Sequence, residues 1–213
     1  MKNLLLFLAF LCVGIILGSS YYVWKNTQPN NNLVQEKKEP RFSVERPPKN
    51  SKKGTIQSMA GTIKWESRVA TESAKINQPV DVQQGEELES GDDGRAVVDF
   101  QGELLVSLSP NSHISFVQTL PTNFVFNQIK GTIEYQKTSS APFAVRCFHL
   151  LIQINKADVT ISIDDKTAYI SITVKNGSAK IGFNDLQNVS NVVNLSGGDK
   201  YIFNDDTREG TLE

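Results

Sequence analysis

The feature that most constrains the fold is a long succession of short runs in which apolar and polar residues alternate. From Gly54 to Glu213 these runs are separated by glycine, proline, asparagine and aspartate, without a sustained period of 3.6 residues. A period of two is typical of β-strands, whose successive side chains point to opposite faces. The spacing of about ten residues between runs therefore predicts an all-β domain over residues 54–213, either a β-roll or sandwich or a short solenoid-like coil.

Individual runs also predict turns and buried faces. Between Tyr169 and Phe183, Asn176-Gly177 separates two alternating runs, which is the pattern of a two-residue hairpin turn. Another run has three apolar residues at alternate positions, and we expect these to share an inward face between two turns. They are Ala96, Val98 and Phe100, with the turns at Asp92-Asp93-Gly94 and Gln101-Gly102.

A continuous apolar run, Leu4–Leu17, follows a short tail formed by residues 1–3. Two interpretations remain open. Residues 4–24 form a transmembrane anchor or uncleaved signal helix, long enough to cross about 30 Å of hydrocarbon. Alternatively, the segment is a signal peptide that is cleaved near Ser20, where small residues precede Tyr21. The aromatic residues that end at Trp24 are typical of a membrane interface and favour the anchor.

The charges divide the rest of the chain into two parts. Residues 25–53 carry eight basic and three acidic side chains and are rich in Pro, Asn and Lys, which predicts a disordered basic linker. Residues 54–213 carry 13 basic and 20 acidic side chains. An acidic domain is poorly suited to bind phosphate backbones, so the composition argues against nucleic-acid binding.

An acidic stretch between Asp81 and Glu103 is the strongest candidate for a site, with eight acids and one arginine. Neighbouring carboxylates in a turn do not form the separated pair that general acid and base catalysis requires. The spacing of a calcium-binding loop is also absent. We therefore predict a partner-binding surface rather than a catalytic or metal site. Its residues are Glu86, Glu87, Glu89, Asp92 and Asp93.

Cysteine and histidine add no further chemistry. Cys12 lies in the apolar N-terminal run and Cys147 lies in the β domain, so no disulfide framework is expected. We predict that Cys147 is a buried strand residue. His113 and His149 lie in strand-like runs and lack the spacing of metal ligands. The sequence thus predicts a protein that is not an enzyme and has no cofactor or metal.

The order of the glycine-containing strands and turns resembles the FecR-type extracytoplasmic domain of bacteria, over residues 56–203. Eight segments match the family pattern: Gly61-Thr62-Ile63, residues 85–100, Gln101-Gly102-Glu103, residues 108–112, Gly131-Thr132-Ile133, Phe143-Ala144-Val145, residues 174–179 and residues 195–199. Where the family has Gly-Thr-x-Phe-x-Val, this chain reads Asn-Lys-Ala-Asp-Val from Asn155 to Val159. The resemblance is therefore to a divergent member.

The resemblance implies a globular domain in the periplasm, held at the inner membrane by a single-pass anchor. The charges alone leave the orientation open, because basic residues flank the apolar run on both sides. Regulators of this family that relay a signal to a sigma factor carry a cytoplasmic N-terminal domain. Only Met1–Asn3 precede the apolar run, so we expect that domain to be lacking.

The expected function is that of a non-enzymatic binding or regulatory module. It would act in extracytoplasmic signalling or envelope assembly, through an envelope protein as its partner. The alternative is a cell-wall glycan-binding domain or a structural scaffold, with peptidoglycan as the partner.

Overall fold

The computed structural model describes Lys25, residues 46–164 and residues 166–213, and it confirms the all-β fold, since each element in the two longer ranges is a strand. The strands are β1 (Gly54–Ala60), β2 (Ile63–Glu66), β3 (Ala74–Ile76), β4 (Asp81–Val82), β5 (Glu87–Ser90), β6 (Arg95–Asp99), β7 (Leu104–Leu108), β8 (His113–Leu120), β9 (Asn123–Lys137), β10 (Phe143–Cys147), β11 (Leu150–Asp164), β12 (Tyr169–Asn184), β13 (Ser190–Ser196), β14 (Lys200–Asn204) and β15 (Glu209–Leu212).

The predicted tail, the predicted span (residues 4–24) and most of the predicted linker lie outside the described residues. Among the described residues, no helix is long and apolar enough to cross a membrane.

The fifteen strands form one continuous sheet, which folds into two layers because three long strands change direction. β9, β11 and β12 have 15, 15 and 16 residues. In β9 and β12 the bends lie at Gly131 and Gly177, whose φ angles are 80° and 76°. Glycine adopts this left-handed conformation without the clash that a Cβ would cause. In β11 the bend lies at Lys156, with φ of 41°, next to an irregularity in the pairing with β12.

The bends divide each long strand between the layers. The upper layer contains, in order, β3, β2, β5, β8, the first half of β9, β10, the first half of β11, the second half of β12, and β13. The lower layer contains β4, β1, β6, β7, the second half of β9, the second half of β11, the first half of β12, β14 and β15. From β9 onward in these two orders, each layer contains four further strands. β13 and β15 therefore end the two layers on the same side.

The hydrophobic core fills the space between the layers, because alternation directs every second side chain inward. Aromatic rings meet across this space: the ring centroids of Tyr135 and Phe143 are 5.6 Å apart, and those of Phe183 and Phe203 are 4.9 Å apart. Such pairs add about 0.5–1.5 kcal/mol to the effect of burial. The predicted inward face is confirmed, since its three residues are buried: Ala96, Val98 and Phe100.

The predicted hairpin turn at Asn176-Gly177 is wrong. The two runs that flank it belong to a single strand, β12, and both pair with β11 rather than with each other. The positive φ of Gly177 bends the strand from the lower layer into the upper layer. A Cβ at this position would lie 2.2 Å from the carbonyl oxygen of Lys156 in β11. A positive φ suits a bulged bend as well as a hairpin turn, and the long partner strand β11 selects the bend.

The two ends of the sandwich are built differently. At one end, residues 77–80 connect β3 in the upper layer to β4 in the lower layer, and the flanking Ile76 and Val82 are buried. We call this the closed end. At the other end, no described strand pairs with the outer edge of β13 or of β15. We call this the open end.

Candidate partner-binding surface

Glu86, the first of the five predicted surface acids, lies inside the domain. It is 7% exposed, and its Oε2 accepts hydrogen bonds from Trp65 Nε1 at 3.0 Å and from the Gln83 backbone N–H at 2.8 Å. Burial raises the pKa of this carboxyl above its ordinary value, although the two hydrogen bonds act in the opposite direction. Glu86 therefore connects β2 to the turn before β5 and is not available to a partner.

Glu87 and Glu89 lie on the outer face of β5, and both have ionisable neighbours. Glu87 Oε2 is 2.7 Å from His113 Nε2. Glu89 is 2.8 Å from Lys130 Nζ and 3.5 Å from Lys64 Nζ. The hydrogen bond from Lys130 lowers the pKa of the Glu89 carboxyl. Pairs at such exposure contribute about 0–1 kcal/mol, and the two lysines leave little uncompensated negative charge at Glu89 for a partner.

Asp92 and Asp93 lie in the turn between β5 and β6, as predicted, and both are exposed. The Asp93 carboxylate accepts a hydrogen bond from the Thr62 backbone N–H at 2.9 Å, which lowers its pKa. The five acids thus follow one another along β5 and its turns, but the structure does not gather them into one acidic face. For the four acids other than Glu86, a role as a partner surface stays a prediction.

The cysteine and histidine side chains of the domain, which could in principle act as nucleophiles or metal ligands, lie in the core or in contacts between strands or turns. Cys147 is buried in β10, as predicted, and burial raises the pKa of its thiol. His149 Nδ1 lies 2.9 Å from Asp205 Oδ2 and connects two turns at the surface. Within residues 46–164 and 166–213, no three His, Cys, Asp and Glu side chains come close enough together to hold a metal ion.

Exposed apolar side chains are concentrated in the half of the domain that contains the open end. Nine large apolar side chains are exposed in the described part of the chain, and seven of them follow β10. Two lie elsewhere: Val69 and Val117. The seven are Phe148, Leu151, Tyr169, Leu186, Val189, Val192 and Leu212.

Four of these seven form what we call the outer patch: Leu151, Leu186, Val189 and Val192. Leu151 of β11 lies opposite Gly182 of β12, which lies opposite Val192 of β13, so the three share the outer face of the upper layer. Leu186 and Val189 lie in the hairpin loop between β12 and β13. A Cβ at Gly182 would meet no atom closer than 4.0 Å, so nothing within the described chain requires a glycine there. A glycine inside a strand often marks close approach by another backbone.

The strand next to this patch, β13, has none of the usual protection of a sheet edge. Its sequence is Ser-Asn-Val-Val-Asn-Leu-Ser, without a charged residue or proline. The other strands that end the layers are two to four residues long and each contains a charged residue: Lys75 in β3, Asp81 in β4 and Glu209 in β15. Natural proteins use short edges and charges to prevent unwanted pairing. β13 is therefore suited to intermolecular contact.

The core is also incompletely covered at the open end. Leu212 of β15 lies opposite the buried Tyr201, so it faces the other layer, yet it is 53% exposed. Val193 of β13 faces inward too and is half-buried. A cavity of about 500 Å³ opens nearby, lined from above by Asn191 and from below by Gly210 and Thr211. The open end thus offers backbone groups and apolar side chains together.

The sequence analysis did not predict this surface, although the sequence of β13 contains a signal for it. β13 is a run of seven residues without charge, which is a recognisable mark of an unprotected edge. Alternation also places Glu86 on the same face as the buried Leu88, which would have predicted its burial. The acids concentrated between Asp81 and Glu103 form a more conspicuous pattern, and they lie in the other half of the domain.

No protein-family model matches this sequence, and no curated protein matches it significantly. The fold is similar to that of two crystal structures of a "putative anti-sigma factor" from Parabacteroides distasonis, with a TM-score of 0.52 in both cases and sequence identities of 13% and 12%. Each alignment covers 60% of this chain and 58% of the other chain. The likeness is therefore one of fold, over somewhat more than half of each protein. Membership of the FecR-type family stays a prediction.

Proposed function

We propose that this chain is a non-enzymatic binding and regulatory module that acts on an envelope protein through the open half of its β-sandwich. The observation that carries the proposal is the outer patch, which adjoins an unprotected sheet edge. Clustered exposed apolar side chains on a soluble domain are typical of protein interaction sites. The likeness in fold to a protein named as an anti-sigma factor is in keeping with a regulatory role.

The location that we propose follows from the N-terminal sequence and the FecR resemblance. Residues 4–24 would anchor the chain in the inner membrane, and the basic residues 25–53 would tether the domain on the periplasmic side. Each basic residue close to anionic lipid contributes about 1 kcal/mol of attraction. Protease added to intact spheroplasts should degrade the domain while a cytoplasmic marker survives. Protection of both would contradict the location, and a mature N-terminus at Tyr21 would favour the cleaved alternative.

Site-specific photocrosslinking in living cells tests the binding role. A photoreactive amino acid at Leu151, in the outer patch, should crosslink one envelope protein. The matched control is Gln57, an exposed residue of β1 far along the sheet from β13. The proposal fails if Leu151 yields no specific product, or if Gln57 yields the same one. A receptor or regulator as the partner would favour signalling, whereas a cell-wall or secretion protein would favour envelope assembly.

Binding of cell-wall glycan is a second candidate, favoured by two exposed aromatic side chains near one carboxylate. Phe148 has a φ of 48° and precedes His149, which bonds to Asp205. Tyr169 follows Ala168, whose carbonyl accepts a hydrogen bond from the Asp205 N–H at 3.0 Å. Strain in the backbone often marks a functional position.

Co-sedimentation with purified peptidoglycan sacculi tests this second candidate. The wild-type chain should sediment with the sacculi, and Phe148→Ser should weaken that binding while Val69→Ser, at an exposed position elsewhere, should not. If the wild-type chain stays in the supernatant, the glycan-binding candidate is excluded.

A further inference from the structure

We propose that the open end is the contact between two copies of this chain, which pair edge to edge through β13 in a symmetric antiparallel arrangement. This inference goes beyond the proposed function and does not depend on it. It rests on the backbone of β13, on the alignment of the two layers at this end, and on the apolar side chains between them.

Within the described part of the chain, the outer edge of β13 has backbone hydrogen-bonding groups without a partner strand. In an antiparallel pair, successive residues bond alternately to the partner strand and away from it. The Asp185 N–H donates to the Val189 carbonyl at 3.0 Å where the β12–β13 hairpin begins. Val193 therefore bonds to β12, whereas Val192 and Asn194 direct their N–H and C=O groups out of the sheet. The Ser196 N–H, which has the same parity, donates to the Asp199 carboxylate rather than to β12.

The composition of β13 permits this strand to pair with itself. In the symmetric register that uses all seven residues, Val193 lies opposite its own copy and Asn191 lies opposite Leu195 of the other copy. No charge opposes a like charge, since the strand has none. Like charges directly opposite each other would destabilise such a pair.

The alignment of the two layers at the open end favours a second copy of this chain, rather than a single peptide strand, as the partner of β13. β13 and β15 both end four strands from β9, and β13 and β15 contribute residues to the same cavity. A two-fold axis between the two β13 strands, next to Val193 and perpendicular to the sheet, therefore brings the lower edge of each copy towards that of the other copy. A single added strand would pair with one edge and leave Leu212 uncovered. An isolated two-stranded contact is also marginal in water.

Dimerisation would cover the incompletely buried core. Val193 and Leu212 from each copy would meet at the junction, so the two sandwiches would share a continuous core. On the outside, the row of Leu151, Gly182 and Val192 would meet Asn194 of the second copy, so the equivalent rows of the two copies would lie side by side with an offset of two residues. The outer patch would then double in extent, which gives a partner a larger apolar surface.

Sedimentation velocity on the full 213-residue chain in detergent tests the association. We expect a dimer whose dissociation constant rises at least about tenfold in Asn194→Pro, a loss of about 1.4 kcal/mol. Proline removes an outward N–H and leaves the ladder to β12 intact. Asn194→Thr, which keeps the N–H, should dimerise like the wild type. A monomer at all concentrations overturns the proposal, as does a dimer that Asn194→Pro does not weaken.

Cysteine crosslinking tests the register, in a Cys12→Ser background. Val193→Cys should form an intermolecular disulfide on mild oxidation, because residues opposite each other at a two-fold axis bring their Cβ atoms within reach. Val192→Cys is the matched control, since it would lie opposite Asn194 of the other copy. Equal crosslinking by the two variants overturns the register.

Hydrogen exchange separates the other occupants of the edge. The amides of Val192 and Asn194 should be protected in the dimer and exposed on dilution, and the Val192 amide should also be exposed in Asn194→Pro. A monomer that still protects the Val192 amide would show that another segment of this chain covers β13, which overturns the proposal. A monomer that crosslinks an envelope protein from Leu151 would overturn the dimer but leave the proposed function intact. A dimer in which Leu151 crosslinks no envelope protein would overturn the proposed function but leave the dimer proposal intact.

Discussion

The closed and open ends of the sandwich solve the problem of sheet edges in opposite ways. At the closed end, the chain itself passes from β3 to β4 and buries Ile76 and Val82 beside the connection. The strands there are two and three residues long, so little free edge remains. At the open end, β13 is seven residues long, carries no charge and has an uncovered outer edge.

Under the proposed function, the half of the domain at the closed end provides stability and the half at the open end provides contact. Around the closed end, side chains connect the layers and turns, as Glu86 does between Trp65 and Gln83. In the open half, the arrangement of the layers depends on bends in long strands, and apolar side chains remain exposed. Interaction surfaces are commonly drawn from the parts of a fold that contribute least to its stability. Four predictions test this division, beginning with the largest effect.

Two valines at the two ends give the sharpest contrast. Val82 of β4 is fully buried and Val192 of β13 is 60% exposed. Val82→Asp should lower the free energy of unfolding by about 4 kcal/mol or more, because it buries an unpaired charge in the core. Val192→Asp should change it by less than about 0.5 kcal/mol. Urea unfolding at a concentration where the chain is monomeric measures both, and similar losses would refute the contrast between the ends.

Two glycines of β12 allow the bend and the outer patch to be tested separately, since Gly177 lies at the bend and Gly182 lies in the row of the outer patch. Gly177→Ala should destabilise the fold by about 2–3 kcal/mol, since φ is 76° and the new Cβ would meet the Lys156 carbonyl at 2.2 Å. Gly182→Ala has open space around it and should stabilise the fold by up to about 1 kcal/mol. Thermal unfolding of the two variants is the measurement. A loss at Gly182 equal to that at Gly177 would mean that strand β12 as a whole, rather than its bend, is sensitive.

Glu86 provides a test at the more tightly connected half. Glu86→Ala should cost about 2 kcal/mol, because it leaves the Trp65 and Gln83 donors without their acceptor. Burial raises the pKa of this carboxyl in the folded state above its ordinary value, so the folded state holds a proton that the unfolded state releases first. The stability contributed by this group is present below pH 4.5 and is lost as the pH rises through the folded pKa.

Glu86→Gln isolates that pH dependence, because it keeps an acceptor oxygen and does not ionise. Relative to that of the wild type, its free energy of unfolding should increase as the pH rises from about 4 to about 7, whatever the offset between the two proteins. Urea titrations at several pH values measure the difference. A difference that stays constant over this range would contradict a raised pKa at Glu86.

The fold class was predictable because alternation is a local property. The inward face formed by Ala96, Val98 and Phe100 follows from spacing alone, and so does the burial of Cys147 in a strand. The turn at Asp92-Asp93-Gly94 follows from residue type, since aspartate and glycine are common in turns. These features need no knowledge of which strands become neighbours.

Pairing between distant strands was not predictable from the same pattern. Gly177 has the positive φ that a hairpin turn needs, but β11 pairs with the chain on both sides of it and keeps the strand continuous. The negative charge of Glu89 is compensated by an ion pair with Lys130, which lies 41 residues further along the chain. The uncovered edge of β13 likewise depends on β14, which follows β13 along the chain but pairs with the first half of β12 instead.

The smallest predicted effect concerns the bend in β11, where Lys156 has a φ of 41°. A left-handed conformation costs a residue other than glycine about 1–2 kcal/mol, whereas glycine gains about 0.5–1 kcal/mol of unfolded-state entropy. Lys156→Gly should therefore stabilise the fold slightly, by about 0.5 kcal/mol. Lys180→Gly, at an exposed and regular position of β12, should destabilise it by about 1 kcal/mol. The melting temperatures of the two variants should move in opposite directions, and equal losses would show that Lys156 is not strained.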